Sequence, residues 1–507
     1  MDARFKKLKL NSVLALCYQF VLIITGLIIP RFFLNYYGSE INGLISSITQ
    51  FLSAINICDL GIGAVVSAAY YKPLADSDVH SISKIFVYSK RFFRIVGFIL
   101  LAYVAILLGT YPTIINDSFD YWFTFALIAA MSLSHLGQYF VGVSYQILLN
   151  ADQKSYVQLI VNGSTLIVNT IASVLLMTCG ASVQIVKLST SVIYLLRPLA
   201  MWLYVKRNYA IDTSTKAEKT LIPQKRNGIV QHIAYTVYEN TDVMVLTFFS
   251  SLQNVSIYAV YTLVTNSIKQ IITAMTTGVQ SLLGNMIAKK ETDQLKSFYL
   301  FYNWGTHTIC TILFTITGIL IVPFVKLYTS GVTDTNYELP LFALLITTAY
   351  YFISLRNCDY VVIRAAGHFK RTQTASLVEC LLNLVISIVL VCLWGLIGVA
   401  IGTIVATVFF VAYEAIYFSK NIVNVPIKKF VRQFLVDVLT TVVSAVACLY
   451  IDLFNGSVGS WIIQAAVVTI ICLATTMLMQ IIFYRNNIIS MVRSIVSIIH
   501  KREIKEK

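Results

Sequence analysis

A chain of 507 residues that is 57% apolar and only 12% charged has more apolar side chain than a soluble core can hide. Soluble domains average roughly 45–50% apolar and about 25% charged residues. The same figures exclude disorder, collagen and a disulfide-rich secreted scaffold. The net charge of +15 leaves two readings, nucleic-acid binding or membrane orientation, and the placement of the basic residues selects orientation, with no nucleic acid as partner.

Apolar runs long enough to cross a bilayer need about 20 residues. In chain order they are 11–34, 43–70, 86–110, 121–149, 155–178, 182–205 and 228–250, then 255–283, 300–327, 338–363, 372–394, 395–419, 431–451 and 458–484. Barrel strands would be half as long and would alternate. The reading is therefore an all-α polytopic membrane protein with about 14 transmembrane helices. The basic segment Met1–Leu10 lacks a small-residue cleavage site after the first run and reads as a retained cytoplasmic segment.

Thirty-two of the 38 Lys and Arg residues sit at the two termini or in alternate connections, such as Lys84 to Arg94, Lys206 to Arg226 and Lys420 to Arg432. The intervening connections, around 35–42, 111–120, 179–181, 251–254, 328–337 and 452–457, hold no Lys or Arg. This alternation expects both termini in the cytoplasm. The longest polar stretch, 206–227, reads as a cytoplasmic linker between an N-lobe at 1–205 and a C-lobe at 228–419. Two further helices at 420–484 and a basic tail at 485–507 complete the plan.

A weak internal repeat supports two lobes. Asn150 to Lys154 aligns with Ala365 to Lys370 at a shift of 214–215, Asn169 with Asn383, Gly180 with Gly395 and Lys206 with Lys420. Six runs per half make it a parallel repeat, with a pseudo-twofold along the membrane normal.

Polar residues inside the runs mark candidate function, because ionisable groups there are costly. The second run carries Ser46, Gln50, Ser53, Asn56, Asp59, Gly63 and Ser67 at steps of three or four, one face of a helix. The eighth carries Thr262, Asn266, Lys269, Thr273, Thr276 and Gln280 in the same manner, and Ser46/Thr262, Gln50/Asn266 and Ser53/Lys269 are each 216 apart. Two matched stripes point to a hydrophilic cavity, against interhelical glue as the bland alternative. The seventh run adds His232, Tyr235, Glu239 and Asp242; the tenth adds Arg356 and Asp359, three apart and able to pair with each other. Arg31 either joins the cavity or snorkels to the headgroups, while Arg197 and Glu379 read as structural contacts within a lobe. Gly61 and Gly63 would permit a bend or a close helix approach. The nine cysteines include no CxxC and read as packing residues. No Walker A sequence, HExxH or Ser/His/Asp set appears, so no catalytic or metal-binding residue and no cofactor is expected.

Several segments together resemble a known family over essentially the whole chain. They are Tyr37-Gly38-Ser39-Glu40-Ile41-Asn42-Gly43-Leu44 entering the second run, Asp59-Leu60-Gly61-Ile62-Gly63 within it, and Asn240-Thr241-Asp242-Val243-Met244-Val245-Leu246. The turns Ala151 to Lys154 and Ala365 to Lys370, and Trp394 to Thr403 opening the twelfth run, complete the set. The sequence resembles the polysaccharide flippases of the multidrug/oligosaccharidyl-lipid/polysaccharide (MOP) exporter superfamily, and within it the bacterial O-antigen and capsule repeat-unit flippases. The resemblance implies alternating access of two six-helix lobes about a cavity lined by runs 1, 2, 7 and 8. It implies a polyprenyl-diphosphate-linked oligosaccharide as cargo, moved from the cytoplasmic to the outer leaflet of the bacterial cell membrane. Coupling to a proton or sodium gradient, and a polysaccharide polymerase and glycosyltransferases as partners, come with it.

The expected cavity residues are Arg31, Gln50, Ser53, Asn56, Asp59, Glu239, Asp242, Asn266, Lys269 and Arg356; the coupling candidates are Asp59, Glu239, Asp242 and Asp359. Three other readings remain: a flippase for a peptidoglycan precursor, one for a teichoic- or teichuronic-acid precursor, and a small-molecule antiporter of the same fold. The basic residues Arg31, Lys269 and Arg356 speak against export of cationic drugs. A membrane glycosyltransferase would need a large outer loop, and none exceeds about ten residues.

Overall fold

The computed structural model describes residues 2–59, 62–115, 118–215, 229–276, 279–422 and 425–506. Its regular structure among these residues is helical, with no strand. The helices are α1 (Asp2–Ser53), α2 (Ile62–Ala75), α3 (Val79–Ile114), α4 (Tyr121–Gly137), α5 (Val143–Ala151), α6 (Ser155–Thr178), α7 (Val183–Asn208) and α8 (Ile229–Phe249). They continue as α9 (Leu252–Thr276), α10 (Val279–Ala288), α11 (Thr292–Tyr328), α12 (Pro340–Ala366), α13 (Phe369–Trp394), α14 (Leu396–Asn421), α15 (Ile427–Cys448) and α16 (Val458–Glu506).

Eleven helical stretches among the described residues are long and apolar enough to cross a membrane. One of them, Val13–Cys58, is broken at Gly38 (φ 81°) and so holds two of the apolar runs of the sequence. Helices α8 and α9 are not among the eleven, because their polar stripes lower their hydropathy. With α1 divided and those two added, the fourteen runs are recovered. Outward faces are strongly apolar, as at Trp122 (69% exposed) and Leu393 (67%), which is what lipid demands and water would not tolerate. The protein is an all-α polytopic membrane protein.

Three runs differ from a plain helix. The second gives way between α1 and α2 to a 3-10 turn, Ala54–Asp59. The polar series from Ser46 to Ser67 is therefore not one continuous helical face, as its spacing suggested; Asn and Asp, with glycines just beyond, are poor helix formers. The fourth run contains a π-turn, Gln138–Gly142, between α4 and α5. A Cβ on Gly142 would collide with the Gln138 side-chain amide. The basic tail continues α16 as helix past a kink at Tyr484.

The chain packs as two compact units, Met1–Ala259 with Gly331–Thr335, and Val260–Ser330 with Asn336–Lys507. Their boundary falls within α9. Of the expected linker 206–227, residues 216–227 lie outside the described residues.

Backbone conformation carries the repeat register. The left-handed residues Ser77 and Lys290, Gln153 and Gly367, and Gly180 and Gly395 lie 213, 214 and 215 positions apart. Each pair follows the ends of corresponding helices, where a positive φ turns the chain out of the helix. Side chains follow suit. Asn169 on α6 is buried and donates to Tyr194 Oη on α7 (3.3 Å), and Asn383 on α13 is buried and donates to Thr403 Oγ1 on α14 (3.1 Å).

In the first unit, small and polar residues bring α1 onto α8 and the start of α9. A Cβ on Gly43 would strike the Leu252 carbonyl. Tyr111 Oη donates to Ser47 Oγ (2.6 Å), which lies 2.7 Å from Thr247 Oγ1. Where lipid and protein interior are equally apolar, such close packing and hydrogen bonding hold helices together. Asp334, in the Gly331–Thr335 segment, accepts from the Ser39 backbone N–H and from Ser39 Oγ, both at 2.6 Å. It thereby caps the helix that restarts after Gly38.

Candidate functional site

The sequence-predicted residues divide between the two units. In the first, Gln50 and Ser53 on the second half of α1 converge on one residue of α8. Asn240 Oδ1 accepts from Gln50 Nε2 (2.6 Å) and Ser53 Oγ (2.8 Å), while Asn240 Nδ2 donates to the Thr236 carbonyl (2.5 Å). Gln50 also donates to the Glu239 carbonyl (3.1 Å). Asn240, absent from the sequence-derived list although it begins one of the resembling segments, is thus the hub of this polar contact.

Asn56 is exposed and accepts from Tyr139 Oη (3.0 Å), and its carbonyl lies 3.1 Å from His232 Nε2. Glu239 is half-buried, and Asp242 is buried with Tyr258 Oη donating to its Oδ2 (2.8 Å). Asp242 is therefore held by α9 rather than open to solvent. Arg31 is half-buried on the first half of α1. The Asp59 side chain lies outside the described residues.

In the second unit Asn266 and Lys269 are half-buried on α9, with Lys269 Nζ 5.6 Å from the Tyr350 ring centre on α12. Of the expected stripe, Thr262 to Thr276 lie on α9, whereas Gln280 falls on α10, so the stripe is not carried by one helix throughout. Arg356 does not pair with Asp359, as their spacing allowed. Its Nη2 donates to Glu379 Oε2 on α13 at 2.8 Å, and its Nε lies 2.7 Å from Glu379 Oε1 at an angle poor for a hydrogen bond. Asp359 sits one helical turn on, and the bidentate geometry that a guanidinium prefers is available only from the neighbouring helix. Arg356 is 5% exposed, and its charge is matched by Glu379.

Around this pair lies a buried ionisable cluster that sequence reasoning did not assemble. Glu414 on α14 is fully buried, and neither of its oxygens makes a hydrogen bond among the described residues; Asp359, Arg356 and Glu379 act on it electrostatically. His307 Nδ1 on α11 lies 2.5 Å from Asp437 Oδ2 on α15. Tyr351 donates to the same oxygen (3.1 Å) and Gln433 to Oδ1 (2.9 Å). The available signal was a charge inside each apolar run; the pairing needed the fold.

At the ends assigned to the cytoplasm, Lys154 Nζ lies 2.7 Å from Asp152 Oδ2, which also accepts from Tyr209 Oη (2.5 Å). Burial and the Asp152 charge push the Tyr209 phenol well above its usual range. Among the described residues no group of three or more His, Cys, Asp or Glu could hold a metal ion.

Neither a family model nor a curated protein sequence matches the chain. Solved structures do. The lipid II flippase MurJ in an inward closed conformation superposes with a TM-score of 0.68 at 16% identity, covering 94% of this chain and 99% of that one. This chain has the fold of that flippase. An inward-facing multidrug resistance MATE transporter of the MOP superfamily matches with a TM-score of 0.60 at 13% identity, covering 80% of this chain and 98% of its own. A MOP-superfamily transporter from Pyrococcus furiosus matches with a TM-score of 0.53 at 13% identity, over 82% and 94% of the two chains. This chain shares the fold of these three transporters.

Proposed function

We propose that this protein is a flippase that carries a polyprenyl-diphosphate-linked oligosaccharide repeat unit from the cytoplasmic to the outer leaflet, for capsule- or O-antigen-type polysaccharide. The observation that carries the reading is the extent of the fold match. The lipid II flippase accounts for 94% of the chain and is itself 99% covered, whereas the MATE structure leaves about a fifth of this chain unmatched. A diphosphate-sugar headgroup cannot enter hydrocarbon without a polar path, and polar groups such as Gln50, Ser53, Asn266 and Lys269 lie within the membrane-spanning helices.

In this reading the protein works by alternating access in the bacterial cell membrane with both termini cytoplasmic. Lys269 and Arg31 attract the diphosphate, and carboxylates among Asp59, Glu239, Asp242 and Asp359 couple transport to a proton or sodium gradient. The lipid tail stays in the bilayer, and glycosyltransferases and a polymerase supply and consume the cargo. The likeness to a lipid II flippase keeps a peptidoglycan precursor as the second reading.

The test is reconstitution of the purified chain into liposomes loaded with short-chain polyprenyl-diphosphate oligosaccharides on one leaflet. Protein-dependent appearance of the oligosaccharide on the other leaflet, measured by an impermeant glycosidase, supports the proposal. Transfer of lipid II alone would replace it with the peptidoglycan reading, and transfer of neither lipid would overturn it.

A further inference from the structure

The first unit contains a pocket of about 340 Å³ lined by Asn56, His135, Gln138, Tyr139, Gln146 and Asn150, with Phe93 as an aromatic wall. It has the size of a small ligand site, at the low end of the ~300–1,000 Å³ typical of such pockets. Its polar groups are all uncharged amides, a phenol and an imidazole; no Lys, Arg, Asp or Glu lines it.

Several of these groups are already half used, and their remaining valences are what a ligand would meet. Gln138 Nε2 donates to Gln146 Oε1 (2.9 Å), leaving Gln138 Oε1 as an acceptor and Gln146 Nε2 as a donor. Asn56 Oδ1 takes the Tyr139 hydroxyl and Asn150 Oδ1 the Ser155 hydroxyl (2.9 Å), leaving both Nδ2 groups as donors. His135 Nδ1 faces the Met131 carbonyl at 3.2 Å, which assigns the proton to Nδ1 and leaves Nε2 as an acceptor. None of these remaining atoms is hydrogen-bonded among the described residues. The pocket thus offers three donors and two acceptors beside an aromatic ring.

The π-turn creates this arrangement. An extra residue in the turn Gln138–Gly142 turns Gln138 and Tyr139 toward α5 and the Ala54–Asp59 segment, and Gly142 leaves room for the Gln138 amide. Such turns are rare and concentrate at functional sites.

We propose that this pocket binds an uncharged pyranose ring of the transported headgroup. The inference rests on the flippase reading and deepens it by assigning the sugar a site separate from the diphosphate. Each sugar hydroxyl is both donor and acceptor, so it matches a mixed set of neutral amide and imidazole valences. A diphosphate, acceptor-only and doubly charged, would find no cation here. The pocket opens beside Asn150, the exposed end of α5 next to the Lys154 turn, so under the positive-inside orientation it meets cargo arriving from the cytoplasmic leaflet.

The experiment measures binding to the full chain in nanodiscs. The probes are undecaprenyl diphosphate, bare or carrying glucose, galactose, N-acetylglucosamine or N-acetylgalactosamine. At least one glycosylated probe should bind about tenfold more tightly than the bare lipid, as expected for two or three net hydrogen bonds. Gln146→Leu and Asn56→Ala should each cut that advantage by about three- to tenfold and leave the bare lipid unaffected. Asn150→Ala, at the exposed rim, carries the test if Gln146→Leu fails to fold. Equal binding of bare and glycosylated lipids, or an advantage that survives these changes, overturns the sugar site while leaving the flippase reading intact. If no polyprenyl diphosphate binds at all, the flippase reading fails and takes the sugar site with it.

Discussion

Arg356 and Glu379, on neighbouring helices of the second unit, meet at 2.7 Å with 5% and 1% of their surfaces exposed. Buried pairs of this kind are more costly to break than to replace. Arg356→Met alone should leave Glu379 and Glu414 without their cation and destabilise the protein by about 3–5 kcal/mol. The double change Arg356→Met/Glu379→Leu should recover most of the yield and melting temperature. Fluorescence-detected size exclusion after a heating series would read both. A double variant as unstable as the single would mean that Glu414, not Glu379, is the main partner.

Asn240 accepts hydrogen bonds from both Gln50 and Ser53. Asn240→Leu leaves one Gln50 N–H unmet, at a cost of about 1–3 kcal/mol, while Ser53 Oγ keeps the Gln50 carbonyl at 2.8 Å as its acceptor. The variant should melt lower than wild type and transport poorly. Asn240→Asp preserves the acceptor and should melt closer to wild type. The comparison of melting curves in detergent decides whether the acceptor, rather than the volume, matters.

Lys269 Nζ lies 5.6 Å from the centre of the Tyr350 ring. Lys269→Arg should retain substantial transport, because a point charge suffices to attract a diphosphate. Lys269→Gln should lose most transport and bind undecaprenyl diphosphate more weakly, with the deficit shrinking at high salt. Asp59→Asn should insert normally and fail to restore surface polysaccharide in a strain lacking the protein. Full activity in both variants would reduce Lys269 and Asp59 to packing residues.

Orientation is testable without any substrate. Single cysteines at 113–115 or 453–457 should react with an impermeant maleimide in intact cells, and cysteines at 212–215 should react only after permeabilisation. External labelling at 212–215 would invert the topology drawn from the basic residues.

Asp78 caps α3 by accepting from the Ser81 backbone N–H at 3.0 Å, and hydrogen bonding from the Ser81 side chain and then its backbone holds the Asp78 carboxyl below the usual value of 3.8. A depressed folded value gives stability that is present above the unfolded value and lost as pH falls through the folded one. Asp78→Ala should therefore lower the melting temperature at pH 7, and the gap to wild type should close as pH falls below about 3.8. A gap that does not change with pH would assign the effect to helix propensity instead.

The membrane class, the helix-bearing runs and the repeat register were legible in the sequence because each depends on local properties. Hydropathy over about 20 residues needs no knowledge of neighbours. Spacing also sufficed for Thr262 to Thr276, which α9 carries, and failed only at Gln280, which falls on the next helix. Left-handed residues at Gln153 and Gly367 show that even the weak repeat reflected real backbone correspondence. Tertiary structure decided which polar groups meet. Arg356 chose Glu379 over Asp359, His307 found Asp437, and Asn240 drew Gln50 and Ser53 together, because each choice depends on how one helix is rotated against another. The interruption at Ala54–Asp59 and the π-turn at Gln138–Gly142 were equally hidden, since apolar runs read the same whether their helix is regular or locally rewound. That rewinding aims Gln138 and Tyr139 into a pocket with Asn56 and Gln146, residues that no sequence spacing joins.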